Sequence, residues 1–150
     1  MSDTEMHGAD NSEEKNSTMN KALANQNFFI PLTDLSPPTE APSETMLVME
    51  GSKHGILASS VLIADVLPGE GPPLHLHYTE EIQVLPECRA EFLIGDKRFT
   101  IEGPGIVHIP AKTPHTFVNI GDKPAHIVTF FPSSSYEINW EVLGPNPLLK

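Results

Sequence analysis

The residues with the clearest chemical potential lie in two short stretches of the chain. His75 and His77 are separated by one residue, so in an extended strand both imidazoles lie on the same face. Glu80 and Glu81 follow after a tight turn, and one of these carboxylates can point back towards the histidines. His115 stands just after a proline-rich loop, in a third strand-like run. Three imidazoles and a carboxylate that converge on one point form a ligand set for a first-row transition metal.

The choice between the two glutamates depends on which face of the next strand points inward. If Glu80 is inward, Ile82 and Val84 share its face, and alternation favours this arrangement because both are apolar and β-branched. If Glu81 is inward, Gln83 shares its face and lines the cavity as a hydrogen-bonding group. The residue pattern alone leaves both arrangements open.

The spacing of these residues resembles the first motif of the cupin superfamily. The chain has Gly69, five residues, His75, one residue, His77, three residues, Glu81, and then six residues to Cys88. The cupin motif has a glycine where this chain has Cys88. Of the two glutamates, the motif spacing selects Glu81 as the metal ligand.

A second stretch resembles the second cupin motif. The similarity lies in Pro110, His115 and the closing Asn119, whereas Lys112 stands where the motif usually has glycine. With both motifs counted, the resemblance covers roughly residues 46–131, and all four metal-ligand positions are filled. The resemblance implies a double-stranded β-helix, or jelly roll, with the metal site inside the barrel.

The pattern of short strands independently indicates an all-β fold. From Thr45 onward, runs of β-forming residues follow one another at about ten-residue spacing with turn signals between them, which is typical of a sandwich or barrel. The clearest hairpin has Gly95 and Asp96 as its two turn residues, and glycine at the first position favours a type II′ turn. The predicted strands outside the two motifs include Thr45 to Glu50, Ile56 to Leu67, Glu91 to Ile94, Lys97 to Ile101, Ile106 to Ile109 and Ala125 to Phe131.

The N-terminal segment has a different character from the rest of the chain. Residues 1–27 are polar and rich in Asn, Ser and Glu, which predicts a disordered tail, with a short helix over Glu13 to Leu23 as the alternative. Residues 28–150 are expected to form a single cupin barrel domain. The apolar cluster from Phe28 to Leu32 suits an edge strand, and together with the region around Trp140 it offers apolar surface for a homodimer.

Charge and composition restrict the partners. The net charge of −11 argues against a nucleic acid or an anionic membrane as partner. No apolar stretch approaches the roughly 20 residues that a membrane helix needs, and the acidic N-terminus does not indicate a signal peptide. The single cysteine, Cys88, fits a reducing compartment, so a cytoplasmic location is expected.

The four ligand candidates predict one divalent transition metal per chain, with Fe, Mn, Ni, Cu and Zn all compatible with this ligand set. Two of six octahedral positions stay open for substrate or dioxygen. His108 alternates with Ile106 and Pro110, so it is a candidate for a second group beside the metal or a proton shuttle. The candidates for the apolar lining or core are Phe92, Phe99, Phe117, Val84, Val118, Ile94, Ile109 and Val128.

These expectations favour a small metal-dependent enzyme that acts on a chelating organic molecule such as an enol, diketone, phenol or organic acid. The resemblance implies a dioxygenase-type reaction, with a non-oxidative decarboxylase, cyclase or isomerase as the alternative. A metabolite-binding sensor without catalytic activity is a further alternative, but the chain has no helix-turn-helix segment or basic face to transmit a signal to DNA. No catalytic residue beyond the metal ligands is assigned.

Overall fold

The computed structural model describes residues 10–24, 28–39 and 45–150. Within these residues ten β-strands form two five-stranded sheets, in which neighbouring strands are antiparallel. The strands are β1 (Met46–Met49), β2 (Ser60–Val66), β3 (Leu74–His77), β4 (Glu81–Leu85), β5 (Arg89–Ile94), β6 (Lys97–Glu102), β7 (Gly105–Ile109), β8 (His115–Asn119), β9 (Ala125–Phe131) and β10 (Trp140–Gly144). The all-β prediction is confirmed.

The first sheet has the order β1-β2-β9-β4-β7, and the second has the order β10-β3-β8-β5-β6. The longest ladder joins β2 to β9, from Ser60 opposite Phe131 to Val66 opposite Ala125. Both strands show strict alternation of buried and more exposed residues over most of their length. Their β-branched residues suit this half-buried surface, and the alternation separates the two faces of each strand.

The buried side chains form two clusters inside the barrel. One cluster contains Leu62, Phe131, Tyr136 and Trp140, and the other surrounds Phe92 and includes Leu85, Ala90, Phe117 and Ile127. Complete burial of a leucine, isoleucine or phenylalanine side chain stabilises the fold by about 1.5–3 kcal/mol.

Three of the residues expected in the lining or core lie elsewhere: Val84, Phe99, and Val128, which pairs with Val84 on the outer face of the first sheet. Val84 is 40 % exposed and Phe99 is 37 % exposed. Val84 lies on the face of β4 opposite to Glu81, and Phe99 lies on β6, which is an edge strand. Alternation identifies the two faces of a strand but does not say which of them meets the core.

The predicted hairpin is present as β5 and β6, with Phe92 paired to Phe99 and Gly95-Asp96 as the connection. The φ angle of Gly95 is +59°, whereas Asp96 is not among the described residues with positive φ. A positive φ at only the first turn position fits the expected type II′ turn.

The described part of the N-terminal segment is helix α1 (Asp10–Ala24), which matches the helical alternative over Glu13 to Leu23. Residues 1–9 and 25–27 of the expected tail lie outside the described residues, and disorder over 1–27 stays a prediction. The helix contains neither glycine nor proline, and it ends in the good helix formers Ala22-Leu23-Ala24. It belongs to one compact unit, Met1–Pro31, and the barrel belongs to another, Leu32–Lys150.

The apolar cluster from Phe28 to Leu32 does not form the expected edge strand. Leu32–Asp34 is a short 3-10 helix, and Phe28 and Phe29 are 75 % and 73 % exposed. Pro31 has no backbone N–H to donate to a neighbouring strand, which disfavours strand pairing there. Among the described residues, no helix is long and apolar enough to cross a membrane.

Candidate metal centre

Strands β3 and β8 bring the three predicted histidines together. His75 and His77 are buried at alternate positions of β3, and His115 is buried at the first position of β8. His75 and His115 are direct partners across the two strands, with their ring centroids 4.3 Å apart. The strand period of two therefore places all three imidazoles on the inner face of the second sheet.

The first sheet supplies the carboxylate. Glu81 begins β4 and is 3 % exposed, and Gln83 lies on the same inner face. Glu80 lies outside, where its Oε2 is 2.9 Å from Nε2 of His108. The structure thus answers the question that alternation left open: the inward residue is Glu81, as the motif spacing indicated, and its role as a ligand stays a prediction.

His108 does not face the cavity, so the expectation of a proton shuttle at this position is wrong. It pairs with Ile82 across β4 and β7, and paired residues share one face of an antiparallel sheet. Ile82 lies on the outer face together with Val84, and the His108 side chain is 53 % exposed. The neighbouring Ile109 is the residue that is buried on the inner face, opposite Glu81.

The four side chains His75, His77, Glu81 and His115 converge so closely that one ligand atom from each lies within 4.8 Å of all the others. Oε2 of Glu81 is 2.9 Å from Nε2 of His115 and 3.4 Å from Nε2 of His77. Two ligand atoms that each lie about 2.1 Å from a metal, at right angles to one another, are about 3 Å apart. The spacing of these atoms therefore fits neighbouring positions around one ion.

Backbone contacts determine which nitrogen of two imidazoles is free. Nδ1 of His75 is 2.7 Å from the carbonyl oxygen of Pro73, and Nδ1 of His115 is 2.8 Å from that of Thr113. A carbonyl oxygen only accepts, so each Nδ1 carries the proton and donates it. Nε2 of each ring is then left with a lone pair, which is the arrangement that a metal-binding histidine requires.

Two buried atoms at the centre of the cluster lack hydrogen-bond partners among the described residues. They are Oε2 of Glu81 and Nε2 of His115, which face one another although both are acceptors in this tautomer. Leaving such groups unpaired in a protein interior costs about 1–3 kcal/mol each. A cation bound by both atoms would replace the missing hydrogen bonds, so these residues are suited to bind a metal ion.

The protonation states also suit metal binding. Burial lowers the pKa of His75 to about 4, with a further decrease from the neighbouring His115, and burial lowers the pKa of His77 to about 3. Burial raises the pKa of Glu81, whereas the hydrogen bond that Gln83 donates to Oε1 lowers it and favours the ionised carboxylate. At neutral pH the cluster therefore presents two neutral imidazoles and a carboxylate, which are the ligating forms.

Gln83 forms a hydrogen bond to the carboxylate of Glu81. Its Nε2 donates a hydrogen bond of 2.7 Å to Oε1 of Glu81. This contact occupies one carboxylate oxygen and leaves Oε2 directed at His77 and His115. Gln83 therefore lies at the cavity as a hydrogen-bonding group, and its role beside a metal stays a prediction.

A cavity of about 250 Å³ opens onto the cluster. Its wall is mostly apolar and aromatic. The side chains that line it include Met46, Leu62, Ala64, Val66, Phe117, Ile127, Phe131, Tyr136 and Trp140. Of the eight apolar candidates named from the sequence, only Phe117 is among the residues that line the cavity.

Part of the cavity wall comes from the C-terminal segment and was not predicted from the sequence. Trp140 was expected to contribute apolar surface, but it is 7 % exposed and stacks on His77 with ring centroids 6.0 Å apart. Strand β10 pairs with β3, so Trp140 lies opposite His77 in the second sheet. Alternation of Trp140 with Val142 was the available signal, but it did not identify the neighbouring strand.

Other residues of the two motifs have structural roles. Nδ2 of Asn119 donates to the carbonyl oxygens of Val66 and Lys123, at 2.9 and 2.8 Å. Lys112 has a φ of +59°, and its backbone N–H donates to the carbonyl oxygen of His77 at 2.7 Å. A left-handed conformation explains why glycine is usual at this position of the cupin motif.

Comparisons with known proteins agree with this architecture. Residues 62–131 match the family described as the cupin domain. The uncharacterized protein MJ1618 of Methanocaldococcus jannaschii is 36 % identical over 80 residues, which are 52 % of this chain and 64 % of that protein. The chain therefore spans less than two thirds of the length of this relative.

Solved structures of oxalate decarboxylases share the fold. The Lactobacillus farciminis enzyme, solved as a formate complex, has a TM-score of 0.66 and 23 % identity over 79 % of this chain and 36 % of its own. A Bacillus subtilis oxalate decarboxylase, studied for its Mn(II) centres, has a TM-score of 0.68 and 20 % identity over 79 % of this chain and 33 % of its own. This likeness confirms the predicted jelly-roll barrel. The matched region carries all four converging side chains, and both this match and the fold are those of a cupin domain.

Proposed function

We propose that this cupin is a metal-dependent enzyme in which His75, His77, Glu81 and His115 bind one divalent transition metal. The observation that carries the proposal is the contact between Oε2 of Glu81 and Nε2 of His115, two buried acceptors 2.9 Å apart without hydrogen-bond partners in the described part of the chain. Such an arrangement is costly in a metal-free protein and favourable around a cation.

The residues of this chain have distinct tasks in the proposed enzyme. The carbonyl oxygens of Pro73 and Thr113 hold two imidazoles in the ligating tautomer, and Gln83 orients the carboxylate of Glu81. The apolar wall keeps the reacting ligand away from bulk water, which strengthens electrostatic interactions within the cavity. A bound metal would act as a Lewis acid that polarises oxygen atoms of a chelating ligand.

The reaction that we propose is of the dioxygenase type, on a small chelating molecule such as an enol, diketone or phenol. Four protein ligands leave two of six octahedral positions open, which could hold a bidentate ligand, or one ligand oxygen together with dioxygen. The second candidate is a non-oxidative reaction such as decarboxylation, which is favoured by the structural likeness to oxalate decarboxylases. At 20–23 % identity this likeness supports the fold and leaves the choice of reaction to experiment.

Elemental analysis of the purified protein, alongside His75→Ala, tests the metal site. We expect about one metal per chain in the natural protein and a large loss in the variant. Oxygen uptake is then measured with a panel of enols, diketones and phenols. Uptake that requires both the metal and His75 supports the dioxygenase, whereas turnover without oxygen supports the non-oxidative alternative. A protein that binds none of Fe, Mn, Ni, Cu and Zn would contradict the proposal.

We also propose that the enzyme is a homodimer. The outer face of the first sheet supports this, because Val84, Ile106 and Phe130 are 40 %, 68 % and 43 % exposed there. The strand register makes these side chains neighbours of Ile82 and Val128. A contiguous apolar face of this kind is typical of protein–protein contacts. The cytoplasmic location expected from the sequence stays a prediction.

A further inference from the structure

We propose that the cavity selects a chelating ligand that carries a single negative charge when bound, with a small apolar body, and that it discriminates against dianions such as oxalate. This inference rests on the proposed metal site and specifies the substrate class of that site. It follows from three properties of the cavity: the charges on its wall, the charge of its ligand set and its size.

Among the described residues that line the cavity there is no lysine or arginine. Its acidic residues are Glu81 in the ligand cluster, the exposed Glu70, and Asp65, whose side chain is 57 % exposed and lies on the outer face of β2 opposite His126. Nδ1 of His126 is 2.6 Å from Oδ1 of Asp65, but this contact is exposed, with about 60 % of each side chain accessible. A second negative charge on a ligand would therefore find no lysine or arginine to pair with in the described part of the wall, and Glu70 would repel it.

The charge of the ligand set leads to the same conclusion. A divalent ion with one carboxylate and three neutral imidazoles has a net charge of about +1. A ligand with one negative charge brings this centre to neutrality, whereas a dianion leaves a net negative charge inside an apolar cavity. An uncompensated charge in such surroundings is strongly unfavourable, because neither water nor a counter-ion can solvate it fully.

The size and shape of the cavity restrict the body of the ligand. Its volume of about 250 Å³ is below the roughly 300–1,000 Å³ that is usual for sites of drug-sized ligands. Phe117, Phe131, Tyr136 and Trp140 contribute aromatic rings to its wall. A β-diketone or a one-ring enolone combines two chelating oxygens, a single negative charge after loss of one proton to solvent, and an apolar body that packs on these rings.

Ligand binding can be measured without any turnover, because Trp140 is the only tryptophan of the chain and lines the cavity. The full-length protein is loaded with Zn²⁺, which is redox-inert, and its fluorescence is titrated with acetylacetone and with oxalate. Each affinity is expressed relative to the affinity of the same ligand for free Zn²⁺ in the same buffer. On this scale we expect acetylacetone to be favoured over oxalate by about tenfold or more, which corresponds to about 1.4 kcal/mol.

A pair of charge variants tests the cause of the selectivity. Glu70→Gln is expected to strengthen oxalate binding several-fold and to leave acetylacetone binding nearly unchanged. Glu102→Gln is the matched control, since it changes the net charge equally but lies outside the cavity wall, and it is expected to change neither affinity.

The outcomes separate the inference from the proposed function. If oxalate is favoured on the relative scale, or if Glu70→Gln has the same effect as Glu102→Gln, the charge selectivity is wrong, and the metal site stands. If Zn²⁺ does not bind at about one per chain, or if its binding survives His75→Ala, the proposed metal site fails, and the inference fails with it.

Discussion

Nε2 of Gln83 donates a hydrogen bond of 2.7 Å to Oε1 of Glu81, and both side chains are 3 % exposed on the inner face of one strand. Their positions two residues apart make this contact possible, because the strand period returns each side chain to the same face. Gln83 thus holds the carboxylate in an orientation that the backbone alone does not impose.

Gln83→Ala is expected to reduce metal affinity by about 10–100-fold, the range usual for groups that orient metal ligands. The carboxylate would lose its hydrogen-bond donor and gain rotational freedom. The measurement is a competition titration against a coloured chelator. Thr129→Val is a control, because Thr129 is also buried in the cavity wall and is paired with Gln83 across β4 and β9. An unchanged affinity in Gln83→Ala would show that the hydrogen bond has no orienting role.

Glu81→Gln and Glu80→Gln form a second matched pair. Each substitution removes one carboxylate, and the two residues are adjacent in the chain. Glu81 is 3 % exposed and lies beside two imidazoles, whereas Glu80 is 55 % exposed and contacts His108. We expect metal occupancy after dialysis to fall strongly in Glu81→Gln and to stay near the natural level in Glu80→Gln. The opposite order would contradict the assignment of the carboxylate ligand.

The stability of the metal-free protein is expected to fall as the pH is lowered from about 6.5 to about 4. The pKa of His75 is about 4 and that of His77 is about 3 in the folded protein, against an ordinary value of 6.5. In this window the unfolded chain binds protons on both residues and the folded protein does not, so lower pH favours unfolding.

Urea denaturation in the presence of a chelator measures this dependence. One pKa unit corresponds to about 1.4 kcal/mol, so the two histidines together predict a loss of several kcal/mol across the window. The double variant His75→Phe, His77→Phe removes both titrating groups and should show a shallower slope. A free energy of unfolding that is constant or increases as the pH falls would contradict the prediction.

Gly71→Ala is expected to destabilise the protein and Gly105→Ala to be tolerated. A Cβ at Gly71 would collide with the backbone carbonyl of Phe117, whereas a Cβ at Gly105 has no atom within 4 Å. Because backbone is involved at position 71, the loop before β3 must shift, at a cost of about 1–3 kcal/mol. Urea midpoints compare the two variants, and equal midpoints would show that the loop adapts without cost.

Ile106→Lys is expected to convert the proposed homodimer into a monomer. The side chain is 68 % exposed on the outer face of the first sheet, and a lysine there would place a charge within an apolar contact. Light scattering after gel filtration gives the molar mass. Ile138→Lys is the control, because Ile138 is 82 % exposed but lies outside the strands of this sheet. A natural protein that is monomeric at all concentrations would contradict the dimer itself.

Much of the candidate site could be predicted from the sequence because most of its residues lie close together in the chain. His75 and His77 are fixed on one face by their spacing, and the turn to Glu81 is too short to allow much variation. Alternation favoured Glu80, because apolar Ile82 and Val84 share its face, but that apolar face proved to be the outside of the sheet. On strand β4 the outer face is apolar and the inner face carries the polar Glu81 and Gln83, which is the reverse of the usual pattern. Hydrophobicity alone therefore indicated the wrong face of this strand as the inner one.

The rest of the cavity wall depends on pairing between strands that are far apart in the sequence, which local sequence patterns do not reveal. Trp140 reaches the site because β10 pairs with β3, more than sixty residues earlier in the chain. Similarly, His108 was expected at the cavity from its neighbours in sequence, but its face is determined by its pairing with Ile82. Strand register over such distances is set by the packing of the whole barrel.

The three imidazoles belong to the second sheet, and the carboxylate of Glu81 belongs to the first. An ion bound by all four would therefore cross-link the two halves of the barrel from within. Its binding energy would be part of the folding energy, because the unfolded chain cannot hold the four groups together. The apparent stability of the protein would then depend on the free metal concentration around it, and scarcity of the metal would remove the folded protein as well as its activity.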